Sequence, residues 1–254
     1  MRLDSFLVEN GYYASRTKAK EAIEAGLVLV NGRQASKAST DIPEDSRIEI
    51  AGMIHPYVSR GGLKLEGAVQ SFRLDLKDKV IVDIGASTGG FTDCCLQFGA
   101  KRVYAVDVGT NQLSEKLLAD DRVISLEQTN IMDIPYFPEK IDYFVMDVSF
   151  VSITHLLPAI SGFITEENAL VCLIKPQFEV GKVYLKNGIV RDRTTHIRVL
   201  ETVDKHLKEY GLCIEKLIPS PILGGSGNKE FLALIKRGPA TKVNLIEVCS
   251  QGVE

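Results

Sequence analysis

No stretch of this chain approaches the roughly 18 consecutive apolar residues of a membrane-spanning helix, and the opening Met1-Arg2-Leu3-Asp4 lacks the apolar core of an export signal. Neither export nor membrane insertion is expected. The five cysteines are odd in number and form no Cys-x-x-Cys pair and no His/Cys ladder; no disulfide framework, zinc site or other metal site is expected. That usage fits a reducing cytoplasm. An excess of charge of one sign is missing as well: 30 Lys and Arg against 33 Asp and Glu leave −3, so a polyanionic partner must be met by a local basic patch. Internal repeats and low-complexity tracts are also lacking. What is present is ordinary: 254 residues, 45% apolar and 25% charged, enough for one large or two modest domains with a real core.

Composition changes near residue 55, where Ile54-His55-Pro56-Tyr57-Val58-Ser59-Arg60-Gly61-Gly62 combines a proline with a glycine pair. The chain is read as a small domain over 1–55, a linker over 56–61, a large domain over 62–238 and a poorly determined tail over 239–254. The small domain shows two helical patterns, the second opened by Ser15 as N-cap and closed by Gly26, followed by strand-like Leu27-Val28-Leu29-Val30, the turn dipeptide Asn31-Gly32 and alternating Arg47-Ile48-Glu49-Ile50. Beyond residue 62 the rhythm of strand, turn and helix predicts an α/β fold with a largely parallel sheet covered on both faces. Strands are expected at 79–84, 102–107, 122–127, 141–147, 169–175, 212–218 and 230–236, and helices at 62–73, 90–98, 112–119, 152–161 and 194–210. The last two strands have no helical pattern between them and should pair antiparallel through Gly224-Gly225-Ser226-Gly227.

The apolar run Lys79-Val80-Ile81-Val82-Asp83-Ile84 leads into Gly85-Ala86-Ser87-Thr88-Gly89-Gly90-Phe91 and then a helix, the nucleotide-binding corner of a doubly wound sheet. The spacing lacks the third glycine of a dinucleotide fingerprint, so a smaller nucleoside ligand fits better. Asp107 ends the next strand, 22 positions beyond Gly85, where a carboxylate accepts hydrogen bonds from ribose hydroxyls. Asp133 can accept from an adenine amino group while Ile131 or Met132 covers the ring. The plain alternative is that the glycines only turn the chain and the two carboxylates only cap loops; two carboxylates at the right strand ends weigh against it. The region resembles the S-adenosylmethionine-dependent methyltransferases, whose Rossmann-like seven-stranded sheet carries an antiparallel last strand, and Asp83-Ile84-Gly85-Ala86-Ser87-Thr88-Gly89-Gly90-Phe91-Thr92 resembles the FtsJ-type ribose methyltransferases in particular. That likeness implies S-adenosylmethionine as cofactor, held by Asp83, Gly85, Ala86, Ser87, Gly89, Gly90, Phe91, Asp107, Asp133 and Asp147.

Charged residues closing apolar strands converge on the crevice at the carboxyl edge of such a sheet. Here they are Asp147, after Ile141-Asp142-Tyr143-Phe144-Val145-Met146, and Lys175, after Ala169-Leu170-Val171-Cys172-Leu173-Ile174. Lys64, on the first helix of the large domain, supplies a second ammonium, and Glu230 begins the reversed strand. Taken singly, each could be an ordinary strand-end or surface charge. Together they are similar, in order, to the Lys-Asp-Lys-Glu tetrad of the FtsJ family, which implies Lys175 as proton acceptor, Asp147 as its orienting partner, and Lys64 with Glu230 positioning a 2′-hydroxyl. Enzymes that methylate exocyclic amines carry a proline-containing turn where this chain has Asp147-Val148-Ser149-Phe150, and Cys94, Cys95 and Cys172 read as small core residues. A hydroxyl acceptor is left.

Residues 1–53 resemble the RNA-binding module of ribosomal protein S4. Residues 16 to 37 hold Arg16, Lys18, Lys20, Arg33 and Lys37 against Glu21 and Glu24, a local excess of +3 suited to phosphates; Arg2 and Arg60 complete the candidate RNA contacts. A solvated mixed-charge helix face is the other reading of this segment. The module, the linker, Lys175-Pro176-Gln177-Phe178-Glu179 and Gly188-Ile189-Val190-Arg191-Asp192 together resemble the TlyA family, sometimes labelled hemolysins, although Tyr57 stands where tryptophan is expected in some relatives. The resemblance implies 2′-O-methylation of cytidine in ribosomal RNA of the small subunit, the large subunit or both, with ribosomal subunits as partners. Two other classes stay open: a ribosome-assembly factor that binds without turnover, and a membrane-lytic protein. The sequence does not fix the oligomeric state.

Overall fold

Short, strongly punctuated elements build the first of two units, Met1–Pro56 and Tyr57–Glu254, into which the computed structural model divides the chain. The residues described are 1–13, 15–51, 55–224, 227–239 and 241–252; the expected turn residues Gly225 and Ser226, the boundary residue Ile54 and tail residues 240, 253 and 254 lie outside them. In the first unit, α1 (Leu3–Glu9) and α2 (Arg16–Glu24) pack through Leu3, Leu7, Ala19, Ala22 and Ile23. Ser15 caps α2, its side chain accepting from the Lys18 amide at 3.3 Å. The strand β1 (Val28–Val30) pairs antiparallel with β2 (Arg33–Gln34) across the Asn31-Gly32 turn and with β3 (Ile48–Ile50) on its other side.

The second unit runs α3 (Gly61–Phe72), β4 (Val80–Ile84), α4 (Gly90–Gln97), β5 (Arg102–Val106), α5 (Glu115–Leu118), β6 (Val123–Leu126), β7 (Tyr143–Met146), α6 (Leu157–Ile160), β8 (Ala169–Ile174), α7 (Pro176–Glu179), α8 (Arg193–Glu209), β9 (Leu212–Pro219), β10 (Phe231–Arg237) and α9 (Leu245–Ser250). The sheet order is β6-β5-β4-β7-β8-β10-β9. All pairings are parallel except those of β10, which runs antiparallel to both β8 and β9. Every residue of β4 and β8 is buried, as two-sided coverage requires. Alternation sends Val82, Ile84, Phe144, Met146 and Leu170 to a core with Val199, Leu200, Val203 and Leu207 of α8. It sends Ile81, Val145, Val171 and Leu173 to a second core with Leu65 and Phe72 of α3 and Cys94 and Cys95 of α4.

Four expectations need correction. The helix expected over 112–119 is confined to Glu115–Leu118, because the Glu127 carboxylate accepts from the amides of Asn111, Gln112 and Leu113 at 2.7, 2.9 and 3.3 Å and holds them in a loop. The helix expected over 152–161 is a single 3₁₀ turn at Ile153–His155 followed by α6, where Pro158 lacks the amide that would continue the ladder. Tyr57 to Gly61 are part of the second unit and not a free linker: Tyr57 is buried and the Val58 amide donates to Asp93 Oδ2 at 2.8 Å. The tail carries α9, whose Val248 and Cys249 are buried against the α8 side of the sheet.

Candidate active site

The carboxyl ends of β4 and β7 lie side by side, Ile84 opposite Met146, so Gly85 and Asp147 follow at the same edge. Gly85 adopts φ +80°, and a Cβ there would lie 2.9 Å from the Asp147 carbonyl oxygen; only glycine lets the two backbones approach this closely. Gly89, with φ +93°, starts α4, and a Cβ on it would meet Leu117 Cδ1 at 2.1 Å. Ala86, Gly90 and Phe91 are buried, with the Phe91 ring in the second core. They anchor the loop and leave its backbone, not the Phe91 side chain, for a ligand.

Asp107 follows β5 and is aimed from both oxygens: the Ser87 amide donates to Oδ2 at 2.8 Å and the Gly109 amide to Oδ1 at 2.7 Å. Asp133 is exposed after β6, where Ile131 joins the core and Met132 stays 53% exposed, so Met132 is the residue free to cover a ring. Asp83 is wholly buried. Thr92 Oγ1 donates to its Oδ2 at 2.6 Å, while Oδ1 has no hydrogen-bond partner among the described residues. Burial, reinforced by the negative charges of Asp147 and Asp107, raises the Asp83 carboxyl to about 7.

The four candidate catalytic residues form two ion pairs, Lys64–Glu230 buried and Lys175–Asp147 partly open at the carboxylate. Lys175, directly after β8, meets Asp147 Oδ1 at 2.6 Å and donates to Ser149 Oγ at 2.7 Å. Lys64, on α3, meets Glu230 Oε2 at 2.7 Å, and Gln177 Nε2 donates to the other Glu230 oxygen at 3.0 Å. The antiparallel register Phe231 to Ile174 places Glu230 beside Lys175 across the β10–β8 pair, so one strand junction unites the two pairs. Lys64, expected as a second ammonium acting on Lys175, has a carboxylate as its partner. Ser149, Gln177 and Thr92 were not singled out from sequence. Ser149 and Gln177 each lie two positions past a strand-end charge, and extending the strand-end rule by one turn would have found them.

An aromatic pair flanks the lysine. Phe150, at φ +65° and 90% exposed, packs its ring 5.0 Å from Phe178, whose centroid is 5.8 Å from Lys175 Nζ. Glu179 ties α7 to the segment after β7, accepting from Ser152 Oγ at 2.5 Å and the Ile153 amide at 2.9 Å. The cysteines are unsuited to nucleophilic attack: all five are buried, and burial pushes the Cys94 thiol up to about 12.

Of the candidate RNA contacts, six lie in the first unit and Arg60 precedes α3 in the second. Arg2 and Arg16 both bind the buried Asp4, with Arg16 Nη2 2.7 Å from Oδ2, and these guanidiniums hold the Asp4 carboxyl well below the usual carboxylate range. Lys20 pairs with Glu24 at 3.5 Å. Arg33 and Lys37 are exposed and Lys18 is half-buried.

The sheet with its one reversed strand, and the glycine loop between β4 and α4, define a methyltransferase, and the chain belongs to the FtsJ-like methyltransferase family, which it matches over residues 57–237. Residues 1–48 match the S4 domain. Over 241 residues, 92% of this chain and 89% of the relative, it is 37% identical to the 16S/23S rRNA (cytidine-2′-O)-methyltransferase TlyA of Mycobacterium tuberculosis. It is 44% identical to Hemolysin A of Brachyspira hyodysenteriae over 237 residues, 92% of this chain and 98% of that one. A solved structure of a hemolysin-named protein from Streptococcus thermophilus aligns with a TM-score of 0.79 at 43% identity, covering 98% of this chain and 94% of that chain. Among the described residues no helix is long and apolar enough to cross a membrane.

Proposed function

We propose that this protein transfers a methyl group from S-adenosylmethionine to the 2′-hydroxyl of a cytidine in ribosomal RNA, working on ribosomal subunits in the cytoplasm. The observation that carries this reading is the junction of the Lys175–Asp147 and Lys64–Glu230 pairs beside the glycine loop. The loop suits the cofactor: Asp83 Oδ1 lacks a partner among the described residues, Gly85 and Gly89 let the loop pack closely against Asp147 and Leu117, and Asp107 is pre-aimed for ribose hydroxyls. The bound cofactor would supply an electrophilic methyl group on a sulfonium. In its neutral form Lys175 has two N–H bonds and one lone pair. One N–H bond is committed to Ser149 and Asp147 Oδ1 stands in ion-pair contact with Nζ, so the lone pair can face the substrate hydroxyl and take its proton. Lys64 and Glu230, fixed by Gln177, bound the same space and position that hydroxyl. The exposed Phe150 offers a flat surface on which an unstacked base can rest. Mass spectrometry of ribosomal RNA from cells with and without the protein tests the reading: a methylated cytidine ribose must disappear with the protein.

Calorimetry should show S-adenosylmethionine binding, and Asp107→Ala should weaken it by about 1–3 kcal/mol, since a charge-assisted acceptor is lost. NAD binding without any response to S-adenosylmethionine would overturn the assignment. A second expectation concerns pH. Asp83 holds its proton up to about 7 in the folded chain but releases it near 3.9 when unfolded. Across that window the native state binds the extra proton, so the Asp83 contribution to stability falls as pH rises from about 4 to 7 and is level above. Melting temperatures of the cofactor-free protein should show this decline, and Asp83→Asn should flatten it; equal slopes in the two proteins would contradict it.

A further inference from the structure

Between Val180 and Arg198 the chain carries Lys182, Lys186, Arg191, Arg193 and Arg198 against a single anion, Asp192. None of these residues belongs to the site described above. The anion is already engaged: Asp192 caps α8, its Oδ2 accepting from the Thr195 amide and hydroxyl at 2.8 Å each, and so it does not pair with the cations. Lys186 and Arg191 are exposed, and neither takes part in an ion pair among the described residues. They flank a tight hairpin. The Lys186 amide donates to the Ile189 carbonyl at 3.0 Å and the Ile189 amide returns the bond at 3.1 Å, across a turn whose central residues Asn187 and Gly188 both have positive φ, 53° and 78°. This is the geometry of a type I′ turn, which holds its shape without help from a ligand. Next to it, Arg198 donates to the Tyr184 hydroxyl at 3.1 Å and lies 5.5 Å from that ring, and Val183 is 87% exposed.

The base of the hairpin is fastened to the reaction site through Asn228. Its side chain, only 1% exposed, accepts from the Val190 amide and donates to the Gly188 carbonyl, both at 3.0 Å. Its own carbonyl accepts from the Gly224 amide at 2.8 Å. Two residues later the chain reaches Glu230, whose carbonyl accepts from the Ser220 amide at 2.8 Å. One buried amide therefore fixes a rigid, cationic, exposed projection relative to a residue of the tetrad.

We propose that this hairpin, with Lys186 and Arg191 as its grip and the Tyr184–Arg198 pair as its flank, is an RNA-backbone clamp belonging to the methyltransferase unit itself. It holds the phosphates of the strand whose ribose is being methylated. The inference rests on the RNA methyltransferase reading and adds a partner surface to it. Unpaired cations beside exposed aromatic and apolar groups are the composition of a nucleic-acid face. A lipid surface fits less well, because α8 turns its apolar side, Val199, Leu200, Val203 and Leu207, into the core. Fixing the grip relative to Glu230 sets the reach from phosphate to hydroxyl, so that capture and orientation occur in one step.

The test uses the full-length protein carrying Lys186→Glu and Arg191→Glu, with a single-stranded RNA oligonucleotide and purified ribosomal subunits as probes. RNA affinity should fall by about tenfold or more, and the slope of log affinity against log salt should drop by about one for each contact removed. S-adenosylmethionine affinity and melting temperature should match the parent, and the milder Lys186→Ala/Arg191→Ala pair should lie between. Unaltered RNA affinity and salt slope in the charge-reversed protein overturn the clamp, as does a charge-dependent loss of binding to anionic lipid vesicles with RNA binding intact. The two readings fail separately. A parent that binds RNA through these residues but leaves the ribose unmethylated refutes the reaction and keeps the clamp; a charge-reversed variant that methylates and binds like the parent refutes the clamp and keeps the reaction.

Discussion

Lys175→Ala should cut single-turnover methyl transfer by about 10²- to 10⁴-fold, the range for removal of a general base, while the variant folds and binds S-adenosylmethionine and RNA as before. The expectation follows from chemistry and geometry together. A ribose hydroxyl is a weak acid, and displacement at a methyl group needs that oxygen in line and its proton accepted. Nζ of Lys175 is 2.6 Å from Asp147 and 2.7 Å from Ser149, an orientation that no neighbouring basic group reproduces once the amine is gone. Near-parental turnover would remove Lys175 from the mechanism. A product methylated on the base would remove the hydroxyl acceptor along with it. Ser149→Ala should produce a smaller loss, since it withdraws one orienting partner and leaves the amine.

The other large effect is on stability. Lys64→Ala should destabilise the second unit by about 3–5 kcal/mol, because it leaves the carboxylate of Glu230, a residue 2% exposed, with Gln177 as its one remaining side-chain donor among the described residues. Replacing both partners by apolar residues of similar size, Lys64→Met with Glu230→Leu, should restore most of that loss while leaving methyl transfer abolished. Urea unfolding of the three proteins decides the matter. A single variant within about 1 kcal/mol of the parent, well under the cost of an uncompensated buried charge, would mean that the pair is hydrated or exchanges partners in solution.

The parts of this molecule that were legible in the sequence are those where one residue type at one spacing has one physical meaning. The runs that became β4 and β8 are apolar at every position save Asp83, and strands buried on both faces need that. Asp147 and Lys175 stood out because a charge ending such a run must lie at the sheet edge. The helices expected at 112–119 and 152–161 failed for reasons that periodicity does not carry: a carboxylate 14 to 16 residues away captured three amides at the start of the first, and Pro158 interrupted the second. The partnership within the tetrad was also illegible. Strand register puts Glu230 next to Lys175, yet its ion pair is with Lys64 from α3, and only the packing of a helix against the sheet settles which cation reaches which carboxylate. The basic hairpin went unread because its cations gain meaning from the buried Asn228 that holds them, a residue with no signature of its own.

The position of β10 bears on when the enzyme comes into being during synthesis. It is the last strand of the sheet in the chain but occupies an interior slot, between β8 and β9. Until residues 231–237 have left the ribosome, β8 and β9 each present an unpaired edge of the kind that invites wrong partners, and residue 230 has only just arrived. The sheet closes from within, and the strand that closes it brings Glu230 to the junction, so a nascent or truncated chain lacking it has neither a finished sheet nor both ion pairs of the candidate site.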